Sequence, residues 1–125
     1  MKRGDKIFVY GTLRPGASNA GIMQQGAEHI GSDTLTGALI YDLGWFPGLQ
    51  IINTDDIVVG DVFEITDDKL PARLDSYEGY PHMYKRVQVL TDEGHKAWVY
   101  TYNGQFHNDS VVESGDWLQH NTEEV

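Results

Sequence analysis

Hydrophobic and polar residues alternate along much of this chain, which is the pattern of β-strands that bury one face. Clusters of glycine, proline, asparagine and aspartate separate the alternating runs, and these residues favour turns. The pattern predicts six strands, at residues 6–10, 34–43, 49–53, 57–65, 84–90 and 96–102. Many short strands with few helices indicate a closed or nearly closed β-barrel.

Two stretches favour helices instead, residues 20–26 and, more clearly, residues 67–77. In the second stretch Leu70, Leu74 and Tyr77 are spaced to lie along one face of a helix. Gly79 follows, and glycine suits the left-handed turn that ends a helix. The chain therefore combines strands and helices in an α+β fold with about six strands.

The composition bounds the size of the protein and the compartment in which we expect it. A chain of 125 residues can bury a proper core as one domain, which we assign to residues 1–120. Residues 121–125 are expected to form a disordered tail. The absence of cysteine excludes disulfides and thiolate metal sites. No membrane span or secretory signal is predicted, so we expect a cytoplasmic protein.

The formal net charge is −10, from nine basic and nineteen acidic residues. A surface of this sign repels nucleic acids and anionic membranes, so we expect neither as a partner. It also repels small anions at long range, so the carboxylate of a substrate would need local donors such as backbone N–H groups. The sequence leaves the oligomeric state open.

Glu78 is the first candidate for chemistry, because it lies where the second helix should stop. The negative end of a helix dipole disfavours a carboxylate and should raise its pKa. Partial burial acts in the same direction, and a glutamate with a raised pKa is a better general base. A solvent-facing glutamate at a helix end is an equally good interpretation of this segment alone.

The loop after the first strand is the second candidate, since a β-rich run breaks there into Gly11-Thr12-Leu13. Glycine lets the backbone approach a ligand closely and present bare N–H groups to an anion. Neither G-x-x-x-x-G-K nor G-x-G-x-x-G is present, so a nucleotide-phosphate loop is not supported. Alone, the segment is more typical of an ordinary turn.

Together the two candidates resemble the γ-glutamylcyclotransferase-like family, in particular the small subgroup that contains γ-glutamylamine cyclotransferase. The motifs that carry the resemblance are Tyr10-Gly11-Thr12-Leu13 and Asp75-x-x-Glu78-Gly79-x-Pro81-x-x-Tyr84-x-Arg86. Two later segments also resemble the family: Ala97-Trp98-Val99-Tyr100 and Ser114-Gly115-Asp116-Trp117. The resemblance spans residues 7–117 and implies a small mixed β-barrel with short helices packed outside.

The function implied by the resemblance is a cyclisation that releases 5-oxoproline and an amine or amino acid from a γ-glutamyl substrate. The substrate's own α-amine attacks its γ-carbonyl, so an enzyme of this acyltransferase or lyase type chiefly holds the near-attack shape. Glu78 would be the catalytic general acid and base. The implied substrate-binding residues are Tyr10, Gly11, Thr12, Leu13 and Tyr84. No metal and no organic cofactor is implied.

Three further residues each have two interpretations. Tyr84 and Arg86 share a face of the strand after Pro81, so one of them orients Glu78 or contacts substrate, or the two form a cross-strand or surface pair. Arg14 could steer a carboxylate, although a solvated arginine is the commoner case.

Other reaction classes find little support. The five histidines lack H-x-x-x-H and H-E-x-x-H spacing, and no serine lies in G-x-S-x-G, so neither a metal site nor a serine hydrolase is predicted. His82 is the histidine nearest to Glu78 in sequence and could lie near the pocket mouth. The alternative function is a non-catalytic module of the same fold that binds a small amino-acid-like ligand or a protein partner.

Overall fold

Strands in two sheets and three short helices form the computed structural model, which describes residues 1–123. The strands are β1 (Lys6–Val9), β2 (Ala27–Thr36), β3 (Ala38–Asp42), β4 (Pro47–Ile51), β5 (Ile57–Ile65), β6 (Tyr84–Leu90) and β7 (Lys96–Tyr102). The helices are α1 (Gly21–Gln24), α2 (Leu70–Glu78) and α3 (Trp117–Glu123), and a 3-10 turn spans Asn108–Ser110.

The larger sheet has five strands in the order β2-β5-β1-β7-β6. β1 lies at its centre, antiparallel to β5 and parallel to β7. β3 and β4 form a separate antiparallel hairpin. Because β1 is central, the loop that follows it emerges from the middle of the sheet rather than from its side.

Successive residues of β1 point to opposite faces of the sheet and fill two separate cores. Phe8 packs in one core with Ile40 of the hairpin and with Trp117 of α3. Ile7 packs in the other core with Leu74 of α2 and with residues of α1. The hairpin and α3 therefore cover one face of the sheet, and α1 and α2 cover the other.

The strand predictions hold best where β-branched and aromatic residues are frequent. The predicted strands at residues 57–65, 84–90 and 96–102 are confirmed as β5, β6 and β7. The single strand predicted over residues 34–43 is wrong, because Gly37, with a φ of 90°, separates β2 from β3. Few residues other than glycine adopt such a φ, and the turn directs the chain out of the larger sheet.

The α+β class is confirmed, but the predicted barrel is a wrong expectation for the described residues. Their strands form an open five-stranded sheet and a two-stranded hairpin. The physical reason is that β3 and β4 pair with each other, which leaves β2 and β6 as the two edges of the larger sheet. None of the described helices is long and apolar enough to cross a membrane.

At the chain end, α3 spans Trp117–Glu123 and so reaches into residues 121–125, where a disordered tail is expected. The carboxylate of Asp116 accepts the backbone N–H groups of Leu118 and Gln119 at 3.1 and 3.2 Å. This side-chain cap explains why the helix begins at Trp117. Residues 124 and 125 lie outside the described residues.

Candidate active site

Helix α2 packs through an apolar stripe that leaves its last residue beside a cavity. Leu70 and Leu74 are fully buried and hold one face of the helix against the core. Pro71 lies in the first turn, where its missing N–H removes no helical hydrogen bond. Tyr77 does not join the buried face as its spacing predicted, since 39% of its surface is exposed.

Gly79 ends α2 directly after Glu78, with φ 66° and ψ 34°. The N–H of Gly79 donates to the Ser76 carbonyl at 3.2 Å, and the N–H of Tyr80 donates to the Asp75 carbonyl at 2.9 Å. This pair of bonds is a Schellman cap, and it satisfies carbonyls that the helix end would otherwise leave unpaired. Glu78 is therefore held on the final turn of the helix rather than on a free loop.

The loop after β1 presents three backbone donors. Within the described chain, the N–H groups of Gly11, Thr12 and Leu13 have no hydrogen-bond acceptor. The loop is closed by the Arg14 N–H, which donates to the Gly11 carbonyl at 3.1 Å. A Cβ at Gly11 would lie 2.5 Å from Cγ of Pro47, so only glycine fits here without displacing a neighbour.

Tyr77 joins this loop to α2. Its hydroxyl lies 2.6 Å from Oγ1 of Thr12 and accepts a hydrogen bond from Nδ2 of Asn19 at 2.8 Å. Because Tyr77 immediately precedes Glu78, the two hydrogen bonds set the distance between the loop and the end of the helix.

A cavity of about 400 Å³ opens between the loop and the end of α2. The structure brings all of the sequence-predicted site residues to its walls: Glu78, Tyr10, Gly11, Thr12, Leu13 and Tyr84. Their roles in catalysis and binding stay predictions. The volume lies within the range of small-molecule sites.

Glu78 is half-buried in the cavity wall, and burial raises the pKa of its carboxyl to about 7. No hydrogen bond to its carboxylate oxygens is present among residues 1–123, and the described lining of the cavity contains no basic side chain. The carboxyl therefore gains and loses its proton near neutral pH, where a general base works best.

Three buried tyrosines, Tyr10, Tyr84 and Tyr100, form further walls of the cavity. Burial raises the pKa of all three hydroxyls, and the negative charge of Glu78 acts in the same direction. The Tyr10 hydroxyl donates to the Tyr100 carbonyl at 2.8 Å, and the Tyr84 hydroxyl donates to the Pro47 carbonyl at 2.7 Å. Because these protons are committed to backbone carbonyls, Tyr10 and Tyr84 are rigid apolar walls rather than proton donors.

Arg86 lies outside the cavity wall and contacts α2 through Asp75. Its Nε and Nη2 donate to the two Asp75 carboxylate oxygens at 2.9 and 3.1 Å, and the Tyr100 hydroxyl donates to the same group at 2.7 Å. Burial opposes ionisation of Asp75, but the hydrogen bonds from Arg86 and Tyr100 outweigh it and lower the pKa. Asp75 is three residues before Glu78, so the geometry agrees with an Arg86 that orients the helix.

Arg14 meets neither of its two expectations, because it is buried and does not line the cavity. Its Nε donates to Asp61 at 2.9 Å and its Nη1 donates to Asp116 at 2.9 Å. Asp61 also lies 2.9 Å from Nε2 of His29. These contacts tie the loop to β5 and to the start of α3.

Sequence reasoning missed the contribution of the turn between β3 and β4. Trp45 and Phe46 line the cavity from this turn, and 91% of the Trp45 surface is exposed. A tryptophan in a glycine- and proline-containing turn was the available signal, since tryptophan is enriched at interfaces. His82, expected near the mouth, is exposed and is absent from the described lining. Within residues 1–123 no group of three or more histidine and acidic side chains could hold a metal ion.

The arrangement places the Glu78 carboxyl in the same largely apolar cavity as residues 11–13, whose N–H groups have no acceptor among the described residues. Such a pair can deprotonate a nucleophile and stabilise the oxyanion that forms when it attacks a carbonyl. Unpaired N–H groups also favour a bound carboxylate, so either anion fits the loop.

Comparison with known proteins places this chain in a family. Residues 7–119 match the family described as gamma-glutamyl cyclotransferase, AIG2-like. A Vibrio cholerae protein whose name refers to the same activity is 38% identical over 114 residues, which cover 90% of this chain and 95% of the relative. The gamma-L-glutamyl-butirosin B gamma-glutamyl cyclotransferase of Niallia circulans is 29% identical over 125 residues. The match covers 91% of this chain and 76% of that relative. The crystal structure of an uncharacterized protein from Pyrococcus horikoshii superposes with a TM-score of 0.78 at 26% identity. The superposition covers 96% of this chain and 95% of that protein's chain.

Proposed function

Because the chain belongs to the gamma-glutamyl cyclotransferase, AIG2-like family, we propose that it releases 5-oxoproline from a γ-glutamyl substrate. The observation that carries the proposal is the Glu78 carboxyl, with a pKa of about 7, in the same cavity as the unpaired N–H groups of residues 11–13. The reaction requires proton transfer and oxyanion stabilisation, and these two groups supply both. It requires no metal and no organic cofactor.

Binding would fold the γ-glutamyl chain so that its α-amine approaches its own γ-carbonyl. The N–H groups of residues 11–13 hold either the α-carboxylate or the γ-carbonyl oxygen, because no basic side chain is present in the described lining of the cavity. The rings of Tyr10, Tyr84 and Tyr100 pack against the methylene groups. Their apolar surfaces also exclude water, which favours attack by the tethered amine over hydrolysis.

Glu78 begins the reaction by accepting a proton from the α-ammonium group. Glu78 releases this proton to solvent. The amine nitrogen then forms a bond to the γ-carbon, the carbonyl oxygen becomes an oxyanion, and Glu78 accepts the second proton, which the attacking nitrogen loses. When the carbonyl re-forms, the bond from the γ-carbon to the leaving nitrogen breaks, and that nitrogen takes the proton from Glu78. The products are 5-oxoproline and a free amine, and no water is consumed.

A small-molecule γ-glutamyl amide is the proposed substrate class. The name of the Niallia circulans relative specifies a γ-glutamyl group carried by butirosin B, and this supports a γ-glutamyl compound as the substrate. For this chain the leaving amine requires a direct test.

The test is incubation of the full chain with a panel of γ-glutamyl amines and γ-glutamyl amino acids, with 5-oxoproline measured by mass spectrometry. Each substrate is paired with its α-N-acetyl derivative, which keeps the scissile amide but removes the nucleophile. We expect 5-oxoproline from at least one free substrate and no turnover of its acetylated partner.

Two results would contradict the proposal. Free glutamate as the primary product would indicate a hydrolase, since hydrolysis adds one water that cyclisation does not. Failure to turn over any γ-glutamyl compound would favour the non-catalytic binding module.

A further inference from the structure

A shallow groove continues from the cavity across the surface. The two share Thr12, Ser18 and Trp45 in their walls. On the far side the groove is bounded by Trp117 and Leu118 of α3. A molecule held in the cavity can therefore extend into the groove without leaving the protein surface.

The turn that carries Trp45 is held at both ends. The Gly44 N–H donates to Oδ1 of Asp42 at 2.8 Å, and the Leu43 N–H donates to the Phe46 carbonyl at 3.0 Å. Nε2 of His120 lies 2.9 Å from the other Asp42 oxygen, so α3 is fastened to the same turn. The Trp45 ring is nevertheless 91% exposed, so its faces are available to a ligand.

The walls of both the cavity and the groove lack positive charge. Among the described residues, neither contains a lysine, an arginine or a histidine. The whole chain carries a net charge of −10. A carboxylate beyond the scissile amide would meet no cation here and would be repelled at long range, whereas an ammonium group would be attracted.

We propose that the groove between Trp45 and Trp117 binds the leaving portion of the substrate, an extended amine that carries a second positive charge and no carboxylate. This inference rests on the cyclotransferase function and adds to it a subsite and a specificity-determining residue. The cavity of about 400 Å³ takes the small γ-glutamyl group, and the chain of the leaving amine passes over Ser18 into the groove. Its distal ammonium lies on the Trp45 ring, where the face of the indole attracts a cation.

The experiment compares three substrates that share the γ-glutamyl group: the amides of propylamine, of 1,6-diaminohexane and of 6-aminohexanoate. The first is short and neutral, the second long and cationic, and the third long and anionic. We expect the wild-type protein to have the highest kcat/KM with the diamine conjugate and the lowest with the anionic conjugate. The reverse order for the two long conjugates would overturn the charge assignment.

Trp45→Ala is expected to lower kcat/KM for the diamine conjugate by about 3- to 30-fold, the loss that corresponds to one cation–π contact. The propylamine conjugate should lose less, because Trp45 also lines the cavity but the short conjugate has no distal ammonium to place on the ring. Trp45→Phe should give an intermediate loss, and Leu90→Ala, at a residue 70% exposed and outside both walls, is the matched control. An equal loss for both substrates, or no loss for either, would overturn the inference.

Binding of free 1,6-diaminohexane, measured by calorimetry on the same variants, separates this inference from the proposed function. Binding that requires Trp45, without cyclisation of any substrate, would keep the groove and reject the cyclotransferase. Cyclisation without any Trp45-dependent binding or selectivity would keep the enzyme and reject the groove. Neither cyclisation nor binding would reject both.

Discussion

Arg86 holds Asp75 with two parallel hydrogen bonds, of 2.9 and 3.1 Å, one to each carboxylate oxygen. The guanidinium also lies 4.4 Å from the ring centre of Tyr80 and 5.1 Å from that of Trp98. A planar fork between two rings has little freedom to move, so the carboxylate it binds is fixed as well. This contact anchors α2 one turn before Glu78.

Arg86→Lys is therefore expected to lower kcat/KM for 5-oxoproline release by about 10- to 100-fold, because lysine cannot form the double hydrogen bond and Glu78 shifts with its helix. The pH dependence of kcat/KM should also change, which a loss of stability alone would not produce. Arg3→Lys is the control, since Arg3 and Asp68 form an exposed pair at 3.8 Å. Equal effects of the two substitutions would contradict a positioning role.

Glu78 predicts a pH profile for the reaction. Because its carboxyl has a pKa of about 7 and must be ionised to accept a proton, kcat/KM should rise with pH up to about 7 through this group. Glu78→Gln should reduce turnover by about 10²- to 10⁴-fold or more with the fold retained, since the amide cannot accept the proton. Wild-type turnover by the folded variant would show that Glu78 is not the base.

From the pKa of the same carboxyl we expect the free energy of unfolding to be lower at high pH. Its folded-state pKa, about 7, is above the ordinary value of 4.5, so between these values the unfolded chain binds fewer protons than the folded protein. The free energy of unfolding must then fall as pH rises through that window. Thermal melts should show Glu78→Gln gaining on the wild-type protein between about pH 5 and pH 8, with exposed Glu113→Gln as the control. A constant difference in Tm would refute this assignment.

Substitution of Gly11 should damage the loop through sterics. An added Cβ would meet Cγ of Pro47 at 2.5 Å, so Gly11→Ala must displace the loop or Pro47, and Gly11→Val must displace them further. We expect both to weaken substrate binding, measured as KM, more than Thr12→Ser, which keeps the hydroxyl beside Tyr77. Gly21→Ala is the control, because its Cβ would meet no atom within 4 Å. If the clash is the cause, Pro47→Ala should partly rescue Gly11→Ala.

The buried pair of Arg14 and Asp61 should be important for stability. Asp61→Asn removes the negative charge beside the buried Arg14 guanidinium, and we expect a loss of about 3–5 kcal/mol in the free energy of unfolding. His29→Ala should cost less, because 44% of that side chain is exposed. Urea titrations measure both. A loss below about 1 kcal/mol for Asp61→Asn would contradict the importance of this charge pair.

The strands that the sequence predicted are those whose own side chains favour a strand. β5 and β7 are rich in β-branched and aromatic residues, which favour strands wherever they lie in the fold. The first half of β2, from Ala27, is largely exposed and is held by backbone pairing to β5, which leaves no hydrophobic pattern to read. The break at Gly37 was missed because the hydrophobic run continues across it.

Some residues of the candidate site could likewise be predicted from the sequence, and others could not. Glu78 and residues 11–13 lie at points where a helix or strand ends, and glycine marks both ends in the sequence. Tyr77 and Trp45 reach the cavity through contacts that exist only after the chain has folded. The burial of Arg14 depends on partners 47 and 102 residues away, a separation that no local pattern can reveal.

The cap at Gly79 fixes where α2 ends, so the length of α2 should vary little within the family. The helix has nine residues, and its buried leucines fix its rotation at one end while Glu78 is its last residue. One inserted residue would turn the final carboxyl by about 100° and advance it by about 1.5 Å, away from the cavity. Insertions and deletions in active homologues should therefore fall in the turns, and the stretch from Leu70 to Gly79 should keep its length.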